Sequence, residues 1–230
     1  MPSSQRVVDV QRTVLRWFYV TGRVFPWRSV RSTKYQKVIA EVLLQRTKAN
    51  VVGRMFPAFI SKYPSWTSLS KATQNELEDL LRPLGLWKRR AVSIQSLARI
   101  MASRRGRFPK VRTEVEGLPG VGQYIRNAIF IFDQGQHLPL LDVNFARVLE
   151  RVFGPRKLSD IRYDPYLQEL ASRMVQHQDP LEMNWALLDF ASLVCTIRTP
   201  KCRTCPLNSI CCYAQMVRRS MDSTTEHIRL

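Results

Sequence analysis

The sequence predicts an all-α fold, and three observations carry that reading. Apolar residues recur at helical spacing in each regular segment between Val7 and Val194. Proline and glycine punctuate the chain between segments, as in Phe25-Pro26-Trp27, Pro83-Leu84-Gly85 and Gly154-Pro155. With 230 residues, 45% of them hydrophobic, the chain can bury those helical faces in one large domain or two small ones.

Thirty-six Lys and Arg stand against eighteen Asp and Glu, a formal net charge of +18. Such an excess marks a polyanion binder, with nucleic acid as the leading partner and a merely basic soluble protein as the alternative. No N-terminal apolar run resembles a signal peptide, and no stretch approaches the length of a membrane span. A reducing intracellular compartment is expected. All five cysteines fall between 195 and 212, which there favours metal ligation over disulfides.

In chain order, Val7, Val10, Val14, Leu15 and Phe18 predict a helix over 7–20. Trp27 in the proline turn that follows reads as a core anchor in preference to a base-stacking platform. A helix over 35–47 buries Val38, Ile39, Val42 and Leu43, with Glu41 among them. A carboxyl in apolar surroundings resists ionisation and can donate a hydrogen bond or proton at neutral pH. Periodicity alone prefers the plainer alternative, a solvent-facing Glu41 paired with Lys37 or Gln45.

Helices are predicted near 51–62, 75–81 and 88–101, the last two separated by Pro83-Leu84-Gly85-Leu86-Trp87. Leu86 at a loop tip ahead of Lys88-Arg89-Arg90 can wedge into a base stack while the cations hold phosphates, or it can be an ordinary helix-capping contact. Past the basic loop Arg104-Arg105-Gly106-Arg107, a helix before Leu118 and another from Gln123 flank Leu118-Pro119-Gly120-Val121-Gly122. That is a helix-hairpin-helix: Gly120 and Gly122 let amides of the turn and of the next helix's first residues, Ile125 included, converge on a DNA phosphate. Asp142 precedes a helical run from Val143 and suits an N-cap, a position that also keeps a carboxylate ionised.

Further helices are predicted near 165–177 and 182–194. The last runs into Cys195-x6-Cys202-x2-Cys205-x5-Cys211, four thiolates that can wrap zinc or an iron–sulfur cluster; spacing alone leaves both open. Cys212 is left over, and residues from about 216 read as a frayed tail.

A helix-hairpin-helix, an aspartate eighteen residues after Tyr124 and a terminal four-cysteine loop, in that order, resemble the endonuclease III superfamily of DNA glycosylases. The resemblance spans about Val10 to Cys212, and the x6, x2, x5 cysteine spacing matches the family's [4Fe-4S] loop, displacing zinc. It implies a two-lobed all-helical fold: residues 30–134 as a six-helix lobe with the hairpin, and 1–29 with 135–230 as the cluster lobe. DNA would lie across the cleft between them, with the target nucleotide flipped out because its glycosidic bond is inaccessible in the stack.

Bifunctional members carry a lysine two residues after the hairpin's second glycine, and it attacks the sugar as an amine. Tyr124 stands there in this chain and cannot form an imine, so the resemblance implies a monofunctional enzyme. Glu41-Val42-Leu43-Leu44-Gln45-Arg46-Thr47 looks like the segment shared by mismatch-specific adenine and thymine glycosylases. It implies a catalytic Glu41, with Arg46 inserted beside the mispair and Leu86 wedging the stack. Tyr124 resembles the thymine branch, the adenine branch usually having serine there together with an extra C-terminal domain. The expectation is removal of thymine or uracil opposite guanine, with catalysis by Asp142, Glu41 and Tyr124. Lys201, Arg203 and Arg198 would add phosphate contacts, and a monovalent cation would sit at hairpin carbonyls. Alternatives are adenine release opposite guanine or oxidised guanine, and a non-catalytic DNA-binding module. A monomer is expected on mispaired duplex DNA, followed by a separate abasic-site endonuclease. Its compartment would be a prokaryotic cytoplasm, at the nucleoid, or else a nucleus or mitochondrion.

Overall fold

A computed structural model describes residues 1–218, and all regular structure among them is helical. The chain divides into two compact units, one built from Met1–Arg23 with the segment from His137 onward, the other from Val24–Gln136.

The first unit opens with α1 (Ser4–Thr21), whose N-cap Ser3 accepts from the Arg6 amide at 3.3 Å. The chain then leaves for the second unit, entered through a 3-10 turn at Pro26–Arg28. Trp27 is 2% exposed, stacked on Phe25 at 4.7 Å and edge-on to Phe56, so it is the core anchor expected.

The second unit continues with α2 (Lys34–Leu44), started by a Thr33–Gln36 capping box, α3 (Ala49–Lys62) and α4 (Trp66–Ser70). Next come α5 (Gln74–Leu81), a 3-10 turn at Arg82–Leu84 and α6 (Trp87–Ser103). It closes with α7 (Arg112–Glu116) and α8 (Gln123–Gln134). Periodicity misses α4, whose five residues are too few to show a repeat; a Ser65–Ser68 capping box starts it. α2 ends at Leu44, short of the expected 47, because Gln45 and Arg46 leave helical geometry. Arg46 has φ 56. α2 packs on α8, while α4 and α5 both pack on α6.

Back in the first unit come α9 (Val143–Phe153), α10 (Pro165–Met174) and α11 (Pro180–Leu193). Val7, Val10, Val14 and Leu15 of α1 share one core with Phe145, Val148, Leu149, Leu170 and Phe190. Where α1 ends, Arg23 pairs with the fully buried Asp189 at 2.7 Å. A removed buried partner would strand that carboxylate, so the pair fixes the chain's exit more than it adds net stability. Residues 212–218 are helical, correcting the frayed-tail reading for 216–218; the rest of that tail lies outside the described residues. No described helix is long and apolar enough to cross a membrane.

Candidate active site and cysteine centre

The turn between α7 and α8 closes with the Val121 amide on the Leu118 carbonyl at 3.1 Å, and Leu118 and Val121 are buried beneath it. Gly120 has φ +74, and a Cβ there would stand 2.3 Å from Ser93 Oγ, so the fold itself demands glycine. Gly122 differs. Its φ of −89 suits any residue and a Cβ would meet nothing among the described residues within 4 Å, so none of them requires glycine there. As the N-cap of α8 it brings no side-chain acceptor, which leaves the first turn of the helix without a side-chain cap. Ile125 lies in that turn, but its side chain is buried. The whole residue is only 1% exposed. Arg126, buried on α8, pairs with Glu116 of α7 and with Asn127 Oδ1, locking the hairpin's arms. The Arg126 hydrogen bond holds the Glu116 carboxyl below its ordinary range.

α8 places Tyr124 two residues after Gly122, and its hydroxyl donates to Glu41 Oε2 at 3.0 Å. Glu41 is 3% exposed, which corrects the solvent-facing reading preferred by periodicity. The cause is that α2 is covered nearly all round: Tyr35, Val38, Ile39, Ala40, Val42 and Leu43 are buried as well. Gln45, the expected surface partner of Glu41, instead donates to the Gly120 carbonyl at 3.1 Å and ties the end of α2 to the hairpin.

Arg46 and Leu86 are exposed and both adopt left-handed backbone, φ 56 and φ 51, which side chains other than glycine rarely take. Leu86 is 57% exposed at the head of α6, so it is no buried capping contact. Lys88 and Arg89 face solvent. Arg90 does not: it turns inward onto backbone carbonyls, which corrects its reading as a phosphate-holding cation.

In the other unit, Asp142 caps α9, as expected. Its Oδ1 accepts from the amides of Asn144 at 2.9 Å and Phe145 at 2.8 Å, and its Oδ2 from Asn144 Nδ2 at 2.7 Å. Two supports went unseen in the sequence. Fully buried Asn184 of α11 clamps the segment leading to Asp142, accepting from the Leu140 amide at 2.6 Å and donating to the Leu138 carbonyl at 3.0 Å. Arg147, one turn along α9, donates to Asn144 Oδ1 and to the Cys195 and Ala191 carbonyls. Arginine at i+3 from Asn144 was the only local hint of it.

Cys195, Cys202, Cys205 and Cys211 line one cavity, open to solvent, with Val152, Phe190 and Leu207 in its wall. Among the described residues no three His, Cys, Asp or Glu side chains converge as a single-ion site. Burial pushes the Cys205 thiol up to about 11 and raises Cys211 also. Opposing that, the Leu207 amide faces Cys205, and the Ala214 and Tyr213 amides face Cys211, donors suited to anionic sulfur. Arg151 sits 3.5 Å from Cys195 Sγ, bonds the Thr196 and Ile197 carbonyls and stacks over Tyr213. Four sulfurs around an apolar-walled cavity, met by amide donors, fit a polynuclear cluster. Cys212 lies outside that wall, its sulfur accepting from Arg6 at 3.2 Å. Lys201, Arg203 and Arg198 are exposed on the loop.

Comparison with known proteins follows the same lines. The family described as HhH-GPD superfamily base excision DNA repair protein matches residues 39–177. A thymine-DNA glycosylase of Aeropyrum pernix is 35% identical over 90% of this chain and 95% of its own length. A thymine/uracil-DNA glycosylase of Methanothermobacter thermautotrophicus is 33% identical over 87% of this chain and 91% of its own. The solved structure of a thermostable thymine-DNA glycosylase superposes with a TM-score of 0.83 at 31% identity, covering 92% of this chain and 98% of that one.

Proposed function

The chain belongs to the HhH-GPD superfamily of base excision DNA repair proteins, and from that premise we propose a monofunctional mismatch glycosylase that releases thymine, or uracil, mispaired with guanine. The observation that carries the chemistry is the 3.0 Å hydrogen bond from Tyr124 to buried Glu41. A phenol and a carboxyl stand together where a lyase would present an amine, so the sugar carbon meets no nitrogen nucleophile.

In the reaction the bond between C1′ and the base nitrogen breaks with its electron pair leaving on the base. Asp142 supplies the negative charge that stabilises the oxocarbenium sugar, and its helix-capped carboxylate is oriented without reorganisation at that moment. A water oxygen then bonds to C1′ and gives its proton to that carboxylate. Glu41 hydrogen-bonds the departing base or organises the water, and Tyr124 walls the pocket. The strand stays whole and carries an abasic site for a separate endonuclease. Cys195, Cys202, Cys205 and Cys211 would hold a [4Fe-4S] cluster, whose contribution is to cross-link the loop that presents Lys201, Arg203 and Arg198 to phosphates. Purified protein is therefore expected to contain iron and sulfide, and elemental analysis finding zinc alone would refute the assignment. Carbonyls of the hairpin turn would hold a monovalent cation, which would supply positive charge toward a DNA phosphate. The partner is mispaired duplex DNA and the acting species a monomer, in the nucleoid-bearing cytoplasm or, in a eukaryote, the nucleus or mitochondrion.

The two hairpin glycines separate grip from fold. Gly122→Ala keeps every amide but sets a Cβ where a phosphate would approach the start of α8, and should weaken duplex binding roughly tenfold, the weakening of about one charge-assisted hydrogen bond, with Tm unchanged. Gly120→Ala should cost stability, at least about 1–2 kcal/mol for the left-handed backbone, and lower Tm. Fluorescence anisotropy and thermal unfolding distinguish the two; a Gly122→Ala protein that binds normally removes the hairpin from the DNA contact.

The function is tested with duplexes carrying T, U or A opposite G, and A opposite oxidised guanine. Alkali treatment reveals abasic sites and borohydride traps any imine. Thymine and uracil release without a trapped adduct is expected. Adenine release would move the chain to the rival branch, an adduct would restore a lyase, and no release in single-turnover conditions would leave a DNA-binding module.

A further inference from the structure

Arg90, in the first turn of α6, braces two of the three exposed non-glycine residues with left-handed backbone in the Val24–Gln136 unit, Arg46 and Leu86 but not Arg105, through hydrogen bonds to atoms beside them. Its Nε donates to the Gly85 carbonyl at 3.0 Å, on the residue just before Leu86. Its Nη2 donates to the Gln45 carbonyl, and to Thr47 Oγ1 at 2.8 Å, the two neighbours of Arg46. Its Nη1 reaches the carbonyls of Val42 and Leu43 at 3.3 Å, in the last turn of α2. Thr47 Oγ1 also lies 3.3 Å from the Leu84 carbonyl, a second stitch between the same two loops.

A planar guanidinium with five donors can bind acceptors on two separate loops at once, which a lysine ammonium cannot do in that geometry. Left-handed backbone at a branched or long side chain persists only where its surroundings over-determine it. The acceptors of Arg90 flank two such positions, Arg46 and Leu86.

We propose that Arg90 is a positioning residue that locks the Arg46 and Leu86 loops into one preformed wedge, so that extrusion of the mispaired nucleotide depends on a side chain that never meets DNA. Preorganisation matters because loops free to relax would have to be ordered again on each encounter with the duplex. The proposal rests on the reading of Arg46 and Leu86 as inserting side chains.

The test uses the full chain and a G:T duplex with 2-aminopurine beside the thymine, whose fluorescence rises on extrusion. Arg90→Gln should lower the extrusion constant roughly tenfold or more, with affinity for fully paired duplex within about threefold. Arg90→Lys should fall between that and the native protein. In an Arg46→Ala/Leu86→Ala background, Arg90→Gln should add less than about a twofold loss, since what it positions is gone. A full multiplicative loss in that background, an equal loss of paired-duplex affinity, or unchanged extrusion in Arg90→Gln would each overturn the proposal. If Arg46→Ala and Leu86→Ala themselves leave extrusion unchanged, the insertion reading fails and this proposal falls with it. If they lower it while Arg90→Gln does not, only this proposal fails. Should Arg90→Gln not fold, Arg90→Lys is judged by the same criteria.

Discussion

Asp142→Asn should lower single-turnover thymine excision by about 10³-fold while duplex binding and fold persist. The separation follows from the two jobs one carboxylate holds. As the N-cap of α9 it accepts from the Asn144 and Phe145 amides, and an asparagine oxygen can do the same. Asn and Asp are near-equal caps, so the cost to stability should stay under about 1 kcal/mol. The bond from Asn144 Nδ2 to Oδ2 is the part that suffers, because the new amide presents a donor to a donor. Asn144 cannot simply turn over, since its Oδ1 accepts from Arg147. What the substitution removes outright is the negative charge, the one property the oxocarbenium sugar requires. Excision kinetics, anisotropy and thermal unfolding on one preparation test this. Near-normal turnover would exclude Asp142 from the chemistry, and a large fall in Tm would return it to a purely structural role.

Glu41→Gln should produce the second-largest loss, about 10²-fold in excision, with Tm unchanged or raised. The sign of the stability effect comes from burial. Glu41 is almost completely enclosed on α2, and a neutral amide of the same shape is cheaper to bury than a carboxylate. Its Oε1 can still accept the Tyr124 hydroxyl, so the pocket wall should survive. Activity and stability moving in opposite directions is the signature of a residue kept for its chemistry. A variant that lost stability together with activity would point to a packing role for Glu41.

The helices were legible wherever their apolar stripe ran for two turns or more, as in α1 and α9, and so were several of their ends, Lys62 of α3, Leu81 of α5 and the Asp142 cap of α9 among them, whereas the end of α2 was not. α2 stops at Leu44, where Gln45 and Arg46 leave helical geometry, the Thr47 amide takes the Leu44 carbonyl and Arg90 takes those of Val42 and Leu43, and Arg90 stands more than forty residues along the chain. For the same reason Arg90 was misread: within Lys88-Arg89-Arg90 it is one more charge, and only the fold brings the Val42 and Gln45 carbonyls to it. Glu41 eluded periodicity because a stripe describes one face, and α2 is covered on nearly all of them. The cysteine loop was the most legible part of the candidate centre, its spacing being a local property. The supports of Asp142 were the least, since Asn184 approaches from a helix forty-two positions away and carries no motif.

The chain order of the two units bears on how the protein is made. Val24–Gln136 is contiguous and can complete its core as soon as it leaves the ribosome. The other unit is split, its first helix emerging more than a hundred residues before the segments that cover it. Until those arrive, Val7, Val10, Val14 and Leu15 have no partner surface, so the nascent N-terminus is the stretch a chaperone would hold. Closure is completed when Arg6 reaches the Val152 and Ile210 carbonyls and Cys212. Assembly of the cysteine centre is thereby made to wait for synthesis as far as Cys212, and a ribosome that stalls before Cys195 releases a chain with no cysteine loop.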